Sequence, residues 1–429
     1  MDDLVHYDSV PIPDEYRIHN PVQIRLFREL NELGDFDLSD VERRWAEDYD
    51  YLLSHGYQLR PRFHPGWTPT WRGTNLSPVA CEDSIVHYSE SVIDAKRLQD
   101  GKIVAIKRIP PYTSEAKIAC MLSAPERLDD PMNHCVPVYD HFSDTRNPDG
   151  GSFIVMPLLR AFNEPPFAYV DEVADFVRQT LEGLVYLHSQ NVAHRDLSDG
   201  NVMMDGRAMY GKKGFHPSDQ DMTAADVMIL AKPKTRRDVG FVKYYFTDFG
   251  ISSLFDDPSR PRVVVGNQAQ DLEVPELSSV IPYNPFAVDV FTLGNVFKRH
   301  FLDKYTNVEF LSALCLSMTE QIPGLRPSAA DALTMFQQSV SDCRGIALRW
   351  RLRRQDDSRS RRIIGDFRSA LKELVYQVKI PFSFLFCILQ ALIRFPVKIF
   401  AALSYYGPQR LVAYLRRRLE KPENQPLLG

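Results

Sequence analysis

The sequence has 429 residues, of which 44% are hydrophobic and 25% are charged, the proportions of an ordinary globular protein with room for two or three domains. Its six cysteines form no Cys-X-X-Cys pair, which argues against a zinc site or a disulfide framework and favours an intracellular, cytoplasmic protein with reduced thiols. The first residues, MDDLVHYDSVPIPDEY, are acidic and polar, so we expect no secretory signal.

Charge is distributed unevenly along the chain. Residues 344–421 carry 18 Lys and Arg against 5 Asp and Glu, a balance of +13. The rest of the chain has a balance of −18, which accounts for the net charge of −5. This asymmetry predicts an acidic body followed by a basic tail that contacts a different partner.

Residues 1–75 are predicted to form an N-terminal helical extension. The pattern of PVQIRLFRELNELG predicts an amphipathic helix, and DLSDVERRWAEDYDYLLSHG predicts a second one with a polar N-terminus. The following segment, YQLRPRFHPGWTPTWRG, is rich in Pro and Trp and indicates a packed, irregular strap.

A strand-rich region follows this extension, and a helical region follows the strands. The segments SVIDAKRL and KIVAIKRI are joined by QDG and predict a hairpin, with further strands in CVPVYDHF and SFIVMPLL. Between these strand pairs, TSEAKIACMLS predicts a short helix. From Val170 the 3.6-residue apolar period of DEVADFVRQTLEGLVYLHSQ predicts a helix, and the chain stays mainly helical to about Cys343.

Two segments carry residues suited to phosphoryl transfer. In NVAHRDLSDGNVMMDG, Asp196 and Asn201 lie on one predicted loop, and in YYFTDFGISSLF, Asp248 ends a predicted strand. These oxygen ligands can converge on one or two Mg²⁺ ions, while a carboxylate orients a hydroxyl nucleophile.

The sequence resembles the eukaryotic protein kinase family over about residues 76–343. Six motifs occur in the family's order, each in the expected local structure. They are VAIK with Lys107, HRDLSDGN, DFG, VPE at Val274–Glu276, DVFTLGNVF with Asp289, and RPSAADAL with Arg326. The phrases LRPRFHPGWTPTW, FIVMPLL, GFHP and VKYYFTDFGIS are similar to a fungal, basidiomycete branch of protein-kinase-like proteins.

The resemblance implies an α+β, two-lobed protein-kinase-like fold. Its kinase domain would span residues 76–343, with an upper lobe at 76–159 and a lower lobe at 160–343. The helical extension would precede it, and residues 344–429 would form a basic, apolar, helical C-terminal tail.

The resemblance also implies roles for the motif residues in a site that uses ATP and Mg²⁺. Asp196 would be the catalytic base or hydroxyl-orienting carboxylate, and Asn201 and Asp248 would bind Mg²⁺. Lys107 would neutralise the α- and β-phosphates of ATP.

Further residues would pair with that lysine or contact the base. The ion-pair partner of the phosphate-binding lysine would be Glu115, with Glu126 as the alternative. Met156 would flank the adenine pocket, and the Leu159 N–H would donate to the adenine. Pro157 would contribute only its carbonyl, so its missing N–H has no consequence.

The sequence departs from the kinase pattern at three places. EDSIVHYSES contains no glycine where the family has its GxGxxG loop, so the phosphates would be covered less closely. Ser198 and Gly200 occupy the places of the family's basic residue near the catalytic Asp, which weakens neutralisation of the transferring phosphoryl group. The stretch between Gly266 and VPE contains no Ser or Thr to contact that basic residue.

The chain also contains an insertion at residues 207–240, between Asn201 and Asp248. The family connects these two positions through a short hairpin. We therefore expect the insertion to be an exposed, mobile loop between two strands.

The C-terminal tail allows three interpretations. The apolar run of residues 380–406 has an uninterrupted core of only Ile380–Ile393, which is short for a bilayer span. Gln390, Arg394 and Lys398 would form one polar stripe on a helix. A peripheral helix in an anionic membrane interface, through residues 378–421, fits this pattern best. The alternatives are a helix packed on the kinase body and a tilted transmembrane span.

Three functions remain open from the sequence. The first is an ATP-dependent protein kinase, acting on Ser or Thr of a protein substrate. The second is a pseudokinase scaffold with weak or no catalysis, favoured by the missing glycines and basic residue. A small-molecule kinase is disfavoured by VPE and RPSAADAL, which build a platform for protein substrates. We expect no nucleic-acid partner.

Overall fold

The computed structural model describes residues 12–147, 150–257, 259–343, 345–371 and 373. The chain divides into two compact units, Met1–Asp357 and Ser358–Gly429. Within the second unit, residues 359–371 are helical. The predictions for residues 378–421 concern a part of the tail outside the described residues. Among the described residues, no helix has the length and apolar character needed to cross a membrane.

The first unit combines helices and short strands. Its α-helices are α1 (Pro21–Leu33), α2 (Asp40–Glu47), α3 (Tyr49–Ser54), α4 (Glu115–Leu122), α5 (Pro125–Leu128), α6 (Val170–Ser189), α7 (Arg207–Tyr210), α8 (Pro285–Phe297), α9 (Ser312–Met318), α10 (Ala329–Ser341) and α11 (Gly345–Leu348). Its strands are β1 (Tyr57–Gln58), β2 (Val92–Arg97), β3 (Ile103–Ile109), β4 (Asp140–Ser143), β5 (Ser152–Pro157), β6 (Arg160–Ala161), β7 (Val192–Ala193), β8 (Val202–Met204), β9 (Tyr244–Phe246), β10 (Ser253–Leu254), β11 (Val264–Gly266) and β12 (Ser278–Tyr283).

The upper lobe is built on a five-stranded antiparallel sheet in the order β1-β2-β3-β5-β4. Alternate residues of β3 face opposite sides, as the two-residue period of a strand requires. Val104 and Ile106 pack in a cluster with Trp45 of the N-terminal extension. Ala105 and Ile109 pack in a second cluster with α4 and the interior of the molecule. The extension therefore covers the outer face of the sheet.

The predicted helices of the N-terminal extension form, with one correction. Asn20 caps α1 by accepting the Val22 N–H at 2.9 Å, as predicted for an amphipathic helix at this place. The second predicted helix is divided into α2 and α3 at Asp48. The Asp48 carboxylate accepts from Arg108 and, at 2.6 Å, from Arg146. These ion pairs tie the junction between the two helices to the upper sheet.

The segment predicted to be irregular contributes one strand and otherwise packs as expected. Its first residues form the edge strand β1, which pairs with β2. Phe63 and Trp71 are buried further along. In the predicted strand CVPVYDHF only the last residues belong to β4, and Cys135 makes an isolated bridge to Phe246.

The lower lobe is mainly helical and surrounds α6. Eleven of the 13 residues of α8 are buried, so this helix runs through the middle of the lobe. Residues 345–357 return to the start of α6, where the Leu352 N–H donates to the Ala168 carbonyl at 2.9 Å. The two small sheets β6-β8-β9 and β7-β10 lie in this lobe. The predicted α+β fold with two lobes is confirmed.

The insertion at residues 207–240 contains both buried and exposed residues, and the prediction of an exposed loop is wrong for its buried part. Phe215, His216 and Thr223 are buried, and Arg236 is only 1% exposed. The Arg236 guanidinium donates to the Phe162 carbonyl at 2.7 Å and lies 4.0 Å over the ring of Phe167. The length of this segment between two strands predicted a surface loop, but hydrogen bonds to backbone groups allow polar side chains such as Arg236 to be buried.

Candidate active site

The candidate site is a cleft of about 410 Å³ between the sheet of the upper lobe and the loops of the lower lobe. Apolar side chains form one wall and polar side chains another, as in many ligand sites. The apolar residues include Val92, Ala105, Met156, Leu159 and Met203. The polar residues include Lys107, Asn201 and Asp248, so five of the seven predicted site residues line this cleft.

Lys107 lies on β3, at the centre of the upper sheet, and is 7% exposed. Its Nζ atom is 2.5 Å from Oε1 of Glu115, at the start of α4, and 2.8 Å from Oδ1 of Asp248. The structure thus brings Glu115, rather than the alternative Glu126, to the lysine. One cation between two carboxylates joins the sheet, the helix and the turn that carries Asp248.

Burial and charge act oppositely on the two carboxylates. Burial raises the pKa of Glu115, and the charge of Lys107 opposes this only in part. The pKa of Asp248 is lowered, because Lys107 and the Gly250 N–H outweigh the effect of partial burial. The more exposed carboxylate at the cleft is therefore the one held in its charged form.

Asp196 and Asn201 are linked on the loop between β7 and β8. The Asn201 Nδ2 group donates to the Asp196 carbonyl and to its Oδ2 atom, both at 2.8 Å. Both contacts use the amide nitrogen, so Asn201 retains its Oδ1 atom as an oxygen ligand on the cleft. The backbone is left-handed at Arg195 (φ 70°) and at Asp248 (φ 63°), a conformation that non-glycine residues adopt rarely and mostly at functional sites.

Asp289 fixes the loop that carries these residues. It is fully buried on α8, and its carboxylate accepts the backbone N–H groups of His194 at 2.8 Å and Arg195 at 2.6 Å. His194 is also buried, which lowers its pKa, and its ring lies 5.2 Å from that of Phe249. His194 and Asp289 therefore act structurally.

A sequence model of the protein kinase domain matches residues 88–306, just over half of the chain. The chain belongs to the protein kinase family. This membership implies ATP as a substrate, usually with Mg²⁺, and proteins as phosphate acceptors.

The kinase keeps the buried ion pair that ends its activation segment. Arg326 donates to both carboxylate oxygens of Glu276, at 2.6 and 2.9 Å, and its guanidinium lies 4.6 Å over the ring of Phe291. Such a bidentate pair fixes geometry as well as charge. It ties the segment after β11 to α8, beside the loop that carries Asp196.

The kinase contains a neutral contact where the family has a charged one. Ser198 Oγ donates to Oε1 of Gln270 at 2.9 Å. Gln270 in turn donates its backbone N–H to Oδ1 of Asp196 at 2.8 Å, and its Nε2 group to Oδ2 at 3.1 Å. The sequence showed that a basic residue and a hydroxyl of the family pattern are both missing. It did not show that Gln270 contacts the loop of Asp196 and Ser198 instead.

The segment that replaces the glycine-rich loop is pinned by the N-terminal extension. Val86, His87, Tyr88 and Ser89 line the cleft. The His87 N–H donates to Oε1 of Glu42 at 3.0 Å, and the Trp45 indole N–H donates to the Ser89 carbonyl at 3.0 Å. Both partners come from α2. The roof of the cleft is therefore held by side chains of the extension, and the His87 N–H is engaged by a carboxylate.

The residues at the cleft fit Mg²⁺ only together with a nucleotide. Within the described part of the chain, no group of three or more His, Cys, Asp and Glu side chains is arranged to hold a metal ion. Asp248 and Asn201 offer a carboxylate and an amide oxygen on the same cleft. Mg²⁺ accepts such hard ligands and takes its remaining ones from phosphates and water.

Proposed function

We propose that this chain is an ATP-dependent protein kinase that transfers the γ-phosphoryl group of Mg-ATP to a Ser or Thr hydroxyl. The observation that carries the proposal is the convergence of Lys107, Asn201 and Asp248 on one cleft, with the Asp196 carboxylate bonded to the same asparagine. Positioning and charge stabilisation are what phosphoryl transfer requires of a protein.

Each residue has a distinct part in this proposal. Lys107, oriented by Glu115, binds the α- and β-phosphates, and Asn201 and Asp248 hold the metal ion. The bound Mg²⁺ neutralises charge on the phosphates. Asp196 orients the acceptor hydroxyl and takes up its proton. The Leu159 N–H and the Pro157 carbonyl bind the adenine, and Met156 flanks it.

The catalytic loop supports Ser or Thr as the acceptor. Leu-Ser-Asp-Gly-Asn follows Asp196 and does not resemble the arginine-bearing loop of tyrosine-specific kinases.

A pseudokinase scaffold is the second candidate, and a specific observation favours it. Gln270 donates to both oxygens of the Asp196 carboxylate, so an acceptor hydroxyl has to compete with an internal donor.

Asp196→Asn separates the two candidates. We expect this variant to lose phosphate transfer to a generic basic protein by about 100-fold or more, because a general base contributes about 10²–10⁴. It should keep the increase in melting temperature that ATP and Mg²⁺ give the wild type. Asp205→Asn is the matched control, since Asp205 pairs with Arg207 after β8 and should leave transfer unchanged. A wild type that ATP stabilises without any transfer would favour the pseudokinase.

A further proposal concerns the basic C-terminal part, which we infer to contact anionic membranes through residues 378–421. Full-length protein should float with anionic vesicles at low salt, because each basic residue near the surface contributes about 1 kcal/mol. High salt should release the protein by screening, and deletion of residues 378–429 should abolish flotation. Flotation that is unchanged in high salt would indicate a transmembrane segment instead, and protein that never floats would contradict the proposal.

A further inference from the structure

Part of the insertion forms a wall of the nucleotide cleft. Pro217, Ser218 and Gln220 line the cleft together with Leu159. The Gln220 Nε2 group donates to the Leu159 carbonyl at 3.1 Å. The buried guanidinium of Arg160 donates to the backbone carbonyl of Gln220. An inserted side chain thus covers a backbone acceptor of the segment that would bind the base.

Buried polar contacts hold this wall in one arrangement. His216 is 1% exposed, and its Nδ1 atom accepts the Asp219 N–H at 3.0 Å. The ring proton therefore lies on Nε2, which donates to Oε1 of Glu82 at 3.1 Å. Ser218 Oγ donates to Oδ1 of the buried Asp94 at 3.0 Å. Satisfied buried networks of this kind specify a single conformation, so Gln220 is positioned by the segment before β2, which carries Glu82, and by β2 of the upper sheet, which carries Asp94.

The contact matters for base recognition because of the order of groups on a purine. The 6-substituent, N1 and the 2-substituent follow one another along one edge of the ring. If the 6-amino group of adenine donates to the Pro157 carbonyl and N1 accepts the Leu159 N–H, position 2 comes next along the hinge. Leu159 lies between the strands β5 and β6. If its backbone is extended as in those strands, its N–H and C=O point to the same side, and position 2 of the purine would face the Leu159 carbonyl.

We propose that Gln220 is a specificity-determining residue that excludes purines with a 2-amino group, an inference that rests on the proposed ATP-dependent function. Adenine carries only a C–H at position 2 and needs no acceptor there. A 2-amino group would require the Leu159 carbonyl, to which Gln220 already donates. A carbonyl oxygen can accept two hydrogen bonds, but Gln220 lies on the cleft beside this one and would have to share it or move aside. The amino group or the Gln220 amide would then be left with a poorer hydrogen bond, which is unfavourable in a site that excludes water.

The wild type should therefore bind ATP more tightly than the triphosphate of 2,6-diaminopurine riboside. This analogue keeps the 6-amino group and N1 of adenine, so it differs only at position 2. We expect a preference of about tenfold, the usual scale for one unmade hydrogen bond. Gln220→Ala should remove the internal donor and make room, so that the preference falls to about one or is reversed.

Calorimetric titration of the full-length protein with each triphosphate and Mg²⁺ tests this proposal. Gln220→Leu serves as a second variant, because it keeps most of the side-chain volume without a donor. Because this variant removes the donor, the preference for ATP should fall in it as well. A preference as large as that of the wild type would show that the volume of residue 220, and not its amide, excludes the 2-amino group. The matched control is Lys232→Ala, an exposed residue of the same insertion, which should keep the wild-type ratio of affinities.

The outcomes distinguish the specificity proposal from the proposed function. A ratio in Gln220→Ala equal to that of the wild type, with both proteins folded and binding ATP, would overturn the role of Gln220. A wild type that binds both triphosphates equally would overturn it too. A wild type that binds neither triphosphate would overturn the proposed ATP-dependent function, and the specificity proposal with it.

Discussion

Replacing Lys107 with Met should reduce phosphate transfer by about 100-fold or more. Its ammonium group lies between Glu115 at 2.5 Å and Asp248 at 2.8 Å. In the proposed mechanism it binds the α- and β-phosphates, and loss of one charge-stabilising donor typically lowers turnover by about 10²–10³. Steady-state transfer to a basic protein, with melting temperatures as a check on folding, measures the effect.

Lys102→Met is the matched control for this variant. Lys102 directly precedes β3, the strand that carries Lys107, but its side chain is exposed. Its Nζ atom lies 3.4 Å from Oδ2 of Asp100. The same chemical change there should leave both transfer and ATP binding unchanged. A Lys107→Met protein that transfers phosphate at the wild-type rate would contradict the phosphate-binding role and the assignment of VAIK.

The polar residues of the cleft could be predicted because local sequence determines their placement. Asp196 and Asn201 share one short loop, and the sequence places them five positions apart. Lys107 was predicted from its place in VAIK, one of the motifs of the kinase resemblance. The choice of Glu115 over Glu126 required the structure, because it depends on where α4 begins relative to β3.

The insertion and the roof of the cleft could not be predicted, because their contacts join residues far apart in the chain. Glu42 reaches His87 across 45 positions, and Gln220 reaches Leu159 across 61. Glu42 belongs to a capping box with Ser39, but that pattern predicts the start of α2 and not the contact with His87. Gln220 occurs in no recognisable pattern. A long insertion between two strands is predicted as a surface loop from its length, whereas buried partners such as those of Arg236 decide whether it packs.

The N-terminal extension holds the segment that lies where the family has its glycine-rich loop. Glu42 and Arg62 form a fully buried ion pair, with Nε to Oε1 at 2.7 Å. Burial alone would raise the pKa of Glu42, but hydrogen bonds from Arg62 and from the Ser39 and His87 N–H groups lower it. Glu42 is thus kept charged. The Oε1 atom that accepts from Arg62 Nε also accepts the His87 N–H and so holds the roof of the cleft. The roof is fixed by side chains rather than by glycine backbone.

Ser198 occupies a place where the family has a basic residue, and its contact with Gln270 is neutral. Replacing Ser198 with Lys should therefore increase the rate of phosphate transfer. Ser198 is partly exposed and lies two residues after Asp196. Its hydroxyl donates to the side-chain oxygen of Gln270. A lysine here would place a cation next to the transferring phosphoryl group, where one such charge is worth several kcal/mol. We expect turnover to increase about tenfold or more, measured at saturating ATP and Mg²⁺.

Ser198→Met separates the effect of charge from that of size. Methionine has nearly the length of lysine and also removes the donor to Gln270, so any release of Gln270 from Asp196 would occur in both variants. Gln270→Ala measures that release alone, by removing the Nε2 contact of 3.1 Å while the backbone contact of 2.8 Å remains. If Ser198→Lys were no faster than Ser198→Met, the missing charge would not be limiting. Equal acceleration in all three variants would instead identify the Gln270 side chain as the barrier to the acceptor hydroxyl.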